Sequence, residues 1–561
     1  MAASINETKK VTILAWGLVV VTLLVTDRIG ADPVNVGKML ALSVVGFSLI
    51  PFIKIPRARE WHRANLWFLF LVGLMVAIFI SVFTSANSYE RGLYGTYGRN
   101  TGFLTYFALS IVFISATQIT TKASFHRIQK SLFISGYFNI LYCCAAGAGI
   151  DIITWDNPYG AVLGTFGNPN FIGSFMGIFS GVVFVNLLAR PKNKKYRVVL
   201  LLSLGLTFVV IYLADALQGL MISLIGISLS LYFYLRIEKR LILASRAYLT
   251  FLFFGGLTAL LGILQRGPLT DYLYKPSVSF RGDYWKTGLQ MGFSDPLRGV
   301  GIDSYGLYYR TFRSFKSATE SPGLNTTTDA SHNVFIDFFA GAGIVAFICY
   351  VSLSILVLLV SLKYIKDLDK FDPIFFTFFI GWVGYQLQSV ISINQIGITI
   401  WGWVFGGALI GYTKLDQSQF SEVIKKKKIN PKAAQELLEP SLFIKVIVLG
   451  LIGLLVALPP FIADTKMRKF VAGKGTTEGL IALADSWPRD TIRLNRAIVL
   501  LVGQANYEEA KVLAAMGTTV FPNDFASWSA LYELSGEGTK EREAYRNKLH
   551  EIDPFNPKYF K

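Results

Sequence analysis

The sequence predicts an all-α, polytopic membrane helical bundle of about 12–13 transmembrane helices, with a long outer-face loop and a C-terminal α-helical-repeat domain. Three observations predict it. The 561 residues are 53% hydrophobic and only 16% charged, with a mean hydropathy of +0.47, outside the range of an ordinary globular chain. The apolar residues gather in blocks such as Leu66–Phe83, Val198–Leu213, Ala247–Leu264 and Ile344–Leu362, each close to the length that crosses ~30 Å of hydrocarbon as helix. Near Asp464 these blocks stop, and amphipathic patterns with turn signals continue to Lys561.

Taken in order, the spans fall near 11–26, 38–53, 65–84, 102–119, 132–150, 171–189, 198–213, 219–235, 247–264, 333–362, 373–391, 396–413 and 442–462. Val11–Thr26 resembles a signal peptide in length, but no small-x-small cleavage pattern follows it, so it reads as a signal anchor. The net charge of +18 sits almost entirely in every second connection: 1–10, 54–64, 120–130, 190–197, 236–246, 363–372 and 414–440. Outer connections before residue 265 carry only Arg28, Arg91 and Arg99. This positive-inside pattern places the N-terminus in the cytoplasm and the chain in the cytoplasmic (inner) membrane. The basicity is thereby explained without a nucleic-acid partner, and the Lys425–Lys428 run suits anionic membrane lipid. Cys143, Cys144 and Cys349 all fall within spans, so no outer disulfide is expected, and no Cys/His cluster suggests a zinc or other metal site.

Two polar regions interrupt the apolar pattern. The first, 265–332, lies within the membrane domain of residues 1–464 and far exceeds the two-to-eight-residue links usual between packed helices. Rich in Arg and aromatic residues, it reads as an ordered, functional loop. The second, 465–561, follows thirteen crossings and is therefore extracytoplasmic. Its Pro488, Pro522 and Pro554 recur at near-even intervals, and Tyr507-Glu-Glu-Ala510 and Arg542-Glu-Ala-Tyr545 open the second helix of successive units. That spacing resembles tetratricopeptide repeats, whose stacked helix pairs offer a surface for a protein partner. A small helical bundle with coincidental proline spacing is the plainer alternative.

The chemistry concentrates in the loop. Arg266, Arg281, Arg298, Arg310 and Arg313, with Lys275, Lys286 and Lys316, collect at one membrane surface. A guanidinium grips phosphate oxygens with two parallel hydrogen bonds, so the cluster suits a lipid-linked phosphate or diphosphate. The competing reading pairs these cations with Asp271, Asp283, Asp295, Asp303, Glu320 and Asp329. His332 stands at the mouth of a span, where a neutral imidazole can take a proton from a hydroxyl. The other histidines, His62, His126 and His550, lie in solvated basic or tail segments.

The series Arg281-x-x-x-Trp285, Pro296-Leu-x-Gly-Val-Gly301 and Ser331-His332-Asn333, with Gly341-x-Gly343 following, resembles the O-antigen ligase/polymerase superfamily. Gly95-Thr-Tyr-Gly-Arg99-Asn-Thr-Gly102 and Gly164-Thr-Phe-Gly-Asn168-Pro-Asn170 resemble its outer-face motifs, and the likeness runs from about Arg91 to Trp403. It implies transfer of a glycan from a polyprenyl-diphosphate carrier to an acceptor hydroxyl on a lipid-anchored saccharide, another glycan or a protein. It implies no cofactor, since the carrier diphosphate is its own leaving group. Arg281 would bind the diphosphate and His332 would act as general base, making these two the catalytic pair. Arg99, Gln218, Trp285, Arg298, Arg310, Arg313 and Asn333 would contact substrate, Gln218 standing where many ligases carry a second arginine. Asp337, one turn into its span, would orient Asn333 or the acceptor, or cap the helix. A polymerase or protein glycosyltransferase of the same superfamily fits equally, and the rival from another class is a flippase or transporter for lipid-linked glycans. Transporters carry midplane charges and matching halves, neither of which the spans display.

Overall fold

The chain folds as an all-α, multi-pass membrane bundle. The structure, a computed structural model, describes residues 2–56, 65–85, 87–153, 155, 157–320, 322–422, 440–473 and 475–560, without the side chains of 2–5, 416–422 and 440. His62 and the Lys425–Lys428 run lie outside the described residues.

The helices follow one another as α1 (Ala2–Leu23), α2 (Asn35–Leu49), α3 (Leu66–Thr84), α4 (Tyr89–Tyr94), α5 (Phe103–Thr117) and α6 (Lys122–Gly147). Next come α7 (Pro169–Leu188), α8 (Lys194–Leu213), α9 (Leu217–Phe233) and α10 (Ile242–Ile263). The loop region holds α11 (Thr270–Leu273), α12 (Pro276–Ser294), α13 (Tyr305–Phe312) and α14 (Phe315–Thr319). The bundle resumes with α15 (Val334–Lys366), α16 (Pro373–Ile391), α17 (Ile396–Glu422) and α18 (Pro440–Val471). Five short helices close the chain: α19 (Thr477–Asp485), α20 (Thr491–Gly503), α21 (Tyr507–Val520), α22 (Phe525–Leu534) and α23 (Lys540–Ile552).

Among the described residues, ten helices are long and apolar enough to cross a membrane: α2, α3, α7 to α10, and α15 to α18. The other three expected spans correspond to α1, α5 and α6, which pack within the same bundle. Each departs from the apolar standard for a visible reason. Glu7, Lys9 and Lys10 charge the first turns of α1; α5 has only 15 residues; α6 begins with Lys122, His126, Arg127 and Lys130. Nearly all of α5 is buried between neighbours, so its shortness is not exposed to lipid.

Alternate connections meet at opposite ends. At one end, Thr165 donates to Thr22 O (2.9 Å), Asn35 to Gly98 O (2.7 Å), and Gln395 to Asn35 (3.1 Å). The long loop joins this end through Lys275 and Asp215 (3.4 Å). At the other end, Lys10 donates to Gln118 O (2.7 Å) and the Phe371 N–H to Glu238 (3.2 Å). Among the described residues, the cation-rich connections 120–130, 236–246 and 363–372 belong to this second end, and the loop and tail to the first.

The loop is helical and anchored, as long ordered loops must be to satisfy their backbone groups. Its Pro296–Gly301 stretch lies across α15, where Val300 N–H donates to Ala340 O and Ile344 N–H to Pro296 O, both at 2.7 Å. Gly343 leaves the helical conformation there (φ 77°), dividing α15 into a short entrance half and a long spanning half. A side chain at Gly343 would meet Leu297 O at 2.4 Å, and one at Gly299 would meet Ala340 O at 2.3 Å. The glycines of the two motifs are therefore two sides of one backbone contact.

The tail does not stand apart. The Tyr94 ring packs on Trp487 (5.4 Å between centroids), Arg91 donates to Thr491 (3.0 Å), and the Tyr97 N–H donates to Asp490 (3.1 Å). Its own small core gathers Leu480, Leu494, Ile498, Leu501, Leu513 and Leu531.

Candidate functional site

Helix α12 begins with Pro276, whose missing N–H costs nothing in a first helical turn. Along it, Arg281, Tyr284, Trp285 and Gly288 follow the i, i+3, i+4, i+7 spacing of a single helix face. Gly288 and Gly292 press that face against α15: a Cβ at Gly288 would meet the Ile336 side chain at 2.6 Å, and one at Gly292 the Phe339 ring at 2.4 Å. This close approach brings the Arg281 end of the helix to the His332 turn.

The His332 turn is tied down on both sides. Ser331 N–H donates to Asp337 Oδ1 (2.7 Å), and Ser331 Oγ donates to Asn333 O (2.9 Å). Asn333 Oδ1 accepts from the Phe335 and Ile336 N–H groups at 3.0 and 3.2 Å, capping the entrance half of α15. His332 itself is left-handed (φ 59°), a conformation that an ordinary residue holds only when its neighbours impose it. Its ring stacks on Tyr284, with 5.6 Å between centroids and 28° between planes. Neither ring nitrogen has a hydrogen-bond partner among the described residues, so both are available to a ligand. Burial, with the nearby positive charge of Arg281 added to it, draws the imidazole pKa down to about 4.

Arg281 is half-buried and has no carboxylate partner among the described residues. Burial draws its pKa below the usual guanidinium value. Holding a cation partly desolvated without a counter-ion is unfavourable, a cost that an incoming anion offsets.

A small cleft of about 40 Å³ lies near the His332 turn, lined by Arg99, Tyr106, Asp303, Asp329, Asp337 and Asn394 among others, with neither Arg281 nor His332 in its lining. Arg99 grips Asp329 with two hydrogen bonds (2.5 and 3.3 Å). Burial, the largest single influence, would raise the Asp329 pKa; the charge and hydrogen bonds of Arg99, with the nearby His332 adding to them, together hold the carboxyl low. Asp303 accepts from Thr96 N, Thr101 N and Thr101 Oγ1 (2.9, 3.2 and 3.0 Å), joining the Gly95–Gly102 motif to the loop. Burial nevertheless pushes the Asp303 pKa up.

The remaining expected residues differ in their surroundings. Arg310 and Arg313, expected at the substrate, are instead committed to Asp553 of the tail at 2.7–2.9 Å and both donate to Leu324 O. Arg313 is fully buried, which leaves it no face for a ligand. Arg298 pairs with Asp295 (2.7 Å) at the exposed side of the loop, and no contact joins it to His332. Gln218 is buried in the bundle, donating to Ser174 (2.7 Å) and leaving its amide oxygen without a partner among the described residues, with no contact to Arg281 or His332. Trp285 keeps a buried indole N–H that also lacks an acceptor among the described residues. Asn333, expected to touch substrate, uses its side-chain oxygen as a helix cap.

Sequence reasoning missed Tyr284, the ring against which His332 rests. Its position three residues after Arg281 was the available signal, since that spacing returns a residue to the same helix face. No family model matches the chain, and the comparison with curated proteins returns no match.

Proposed function

We propose that the chain is a glycosyltransferase of the O-antigen ligase type, moving a glycan from a polyprenyl-diphosphate carrier to an acceptor hydroxyl. The observation that carries this reading is the half-buried guanidinium of Arg281, without a carboxylate partner among the described residues, near the His332 imidazole, whose ring nitrogens make no hydrogen bond among them. A cation and a base so arranged match the two demands of glycosyl transfer from a diphosphate: charge must be stabilised on the leaving group and a proton removed from the nucleophile.

In this reaction the acceptor oxygen forms a bond to the anomeric carbon as the bond from that carbon to the phosphate oxygen breaks. The electron pair leaves on the diphosphate, held by Arg281, and the hydroxyl proton passes to a ring nitrogen of His332. Attack opposite the leaving group inverts the anomeric configuration. Before substrate binds, Arg281 helps to keep His332 neutral and weakly basic. A diphosphate seated on Arg281 offsets that charge, so the imidazole gains proton affinity when it must accept a proton.

Supporting the membrane setting is the excess of Lys and Arg in the connections opposite the loop. By the positive-inside rule that end faces the cytoplasm, so the site and tail face outward from the cytoplasmic membrane, where polyprenyl-linked glycans and their acceptors meet. The helical tail, tetratricopeptide-like in spacing, belongs to the same outer face.

The test is transfer in proteoliposomes supplied with a purified polyprenyl-diphosphate glycan and a hydroxyl-bearing acceptor. Wild type is expected to form the glycosylated acceptor, and Arg281→Ala and His332→Ala to lose it. Full transfer by both variants would remove these residues from the site. Passage of the lipid-linked glycan across the bilayer without covalent transfer would replace the enzyme with a flippase.

A further inference from the structure

We infer that Asp553, directly after helix α23 of the tail, is a positioning residue for His332, acting through α13 and Tyr284. The inference rests on the proposed transfer reaction for its catalytic meaning, though its structural half stands without it.

The path has few steps, each a direct contact. Asp553 is fully buried and accepts from Arg313 Nη2 at 2.7 and 2.9 Å and from Arg310 Nη1 at 2.9 Å. Around this triad, the Arg310 guanidinium lies 4.1 Å from the centre of the Phe525 ring, Thr311 donates to Ile552 O (3.0 Å), and Phe315 packs on Phe555 (5.6 Å). All of these loop residues belong to α13 or the segment directly after it.

The same α13 carries Tyr305 and Tyr309, one helical turn apart. Tyr305 donates to the backbone carbonyl of Tyr284 (2.7 Å), and the Tyr309 ring meets the Tyr284 ring edge-on (5.8 Å). Tyr284 is the ring on which His332 stacks. Gly306 of α13 also lies against Asp329: a Cβ there would stand 3.2 Å from its Cα. Helix α13 is therefore clamped by the tail on one side and braces both the Tyr284 ring and the 329–332 turn on the other.

The charge arithmetic makes the clamp dependent on Asp553. Two guanidinium groups share one carboxylate and one carbonyl, so loss of the carboxylate leaves two cations facing each other in a buried site. Release of α13 removes the support of Tyr284, and His332 loses the packing that keeps it dry. A general base displaced by a fraction of an ångström from its acceptor slows the chemistry while leaving donor binding nearly unchanged.

The experiment uses the full-length protein with Asp553→Asn, which keeps the side-chain shape and removes the charge. Amide hydrogen exchange in peptides covering 276–294 and 300–320 is expected to accelerate about tenfold or more. In reconstituted transfer, kcat is expected to fall about tenfold or more with donor KM held within about twofold. The acid limb of kcat/KM is expected to move upward by about one pH unit as His332 becomes wetter, a shift that a smaller folded fraction cannot produce. If Asp553→Asn does not accumulate as folded protein, Phe555→Ala loosens the same clamp by removing an apolar contact, and the same three readouts apply. Unchanged exchange overturns the inference. So does faster exchange with wild-type kinetics and pH profile, because the clamp then holds the tail without holding the imidazole. Absence of transfer by wild type defeats the proposed function instead, and the exchange measurement still decides whether Asp553 braces the loop.

Discussion

Arg281 and the Arg310/Arg313 pair belong to the same loop and bring the same chemistry, yet their surroundings are opposite. Arg313 is closed off, its guanidinium bound to Asp553 and to a backbone carbonyl, and Arg310 is nearly as covered. Arg281 is half-buried with no carboxylate partner among the described residues, near an imidazole whose ring nitrogens make no hydrogen bond among them. A guanidinium whose charge is already neutralised has little to gain from a diphosphate; one that is desolvated and unpaired has much to gain. These clustered arginines thus divide into a structural pair and a residue without a carboxylate partner among the described residues, and the position of a carboxylate separates the two.

Substitution of Arg281 should have the largest effect on that contrast. Arg281→Ala is expected to lower transfer by about a thousandfold, the order seen when a main charge-stabilising group is lost. Arg281→Lys should recover only part of it, since an ammonium lacks the two-pronged donor geometry. Transfer assays that show Lys equal to Arg would argue against a bidentate diphosphate contact.

The structural pair should respond differently. Arg313→Ala leaves Asp553 buried with Arg310 as its only cation, and breaking a buried pair of this kind costs about 3–5 kcal/mol. The loss should appear as tail release under limited proteolysis at neutral pH and should respond little to added salt. Protection equal to wild type would mean that the apolar contacts of Phe525 and Phe555 suffice.

A pH series sharpens the comparison on the His332 side. On the proposed mechanism the imidazole acts when neutral, which requires a pH above its pKa of about 4 in the free protein. The acid limb of kcat/KM should therefore lie well below the ordinary histidine range. The acid limb of kcat reports the donor complex, where the diphosphate offsets Arg281, and should lie at higher pH. Coincident limbs would show that the diphosphate does not sit beside the imidazole.

The smallest effect is expected at Arg298. Its pair with Asp295 is exposed, and such pairs contribute about 0–1 kcal/mol. Arg298→Ala should change transfer by less than about twofold. A large loss would reveal a contact to substrate made only in the complex.

Much of the architecture was legible in the sequence because its cause is local. A segment that must satisfy its backbone in hydrocarbon has to be an apolar helix, so Leu66–Thr84 or Pro373–Ile391 can be read from composition alone. The capping role of Asn333 was equally local: an Asn just ahead of an apolar helix is an N-cap signal, and a substrate role was set above it. The partners of Arg310 and Arg313 were not legible. Asp553 lies more than two hundred residues away, and nothing near it in sequence marks it as the acceptor for a loop in another region. Arg99 and Asp329, and the Thr96–Asp303 contact, cross similar distances along the chain.

By itself the sequence determined the all-α, multi-pass class of the fold, the position of most of its apolar helices, and the residue types available for chemistry. Those follow from hydrophobic length and from charge counted over short windows, which act within a segment. Tertiary structure alone decided that α15 breaks at Gly343 against the Pro296–Gly301 stretch, that the tail clamps α13, and that Tyr284 supports His332. It also decided which arginine keeps its charge available. The physical reason is that desolvation and ion pairing depend on what lies within a few ångströms in space, and in this chain those neighbours come from segments hundreds of residues apart.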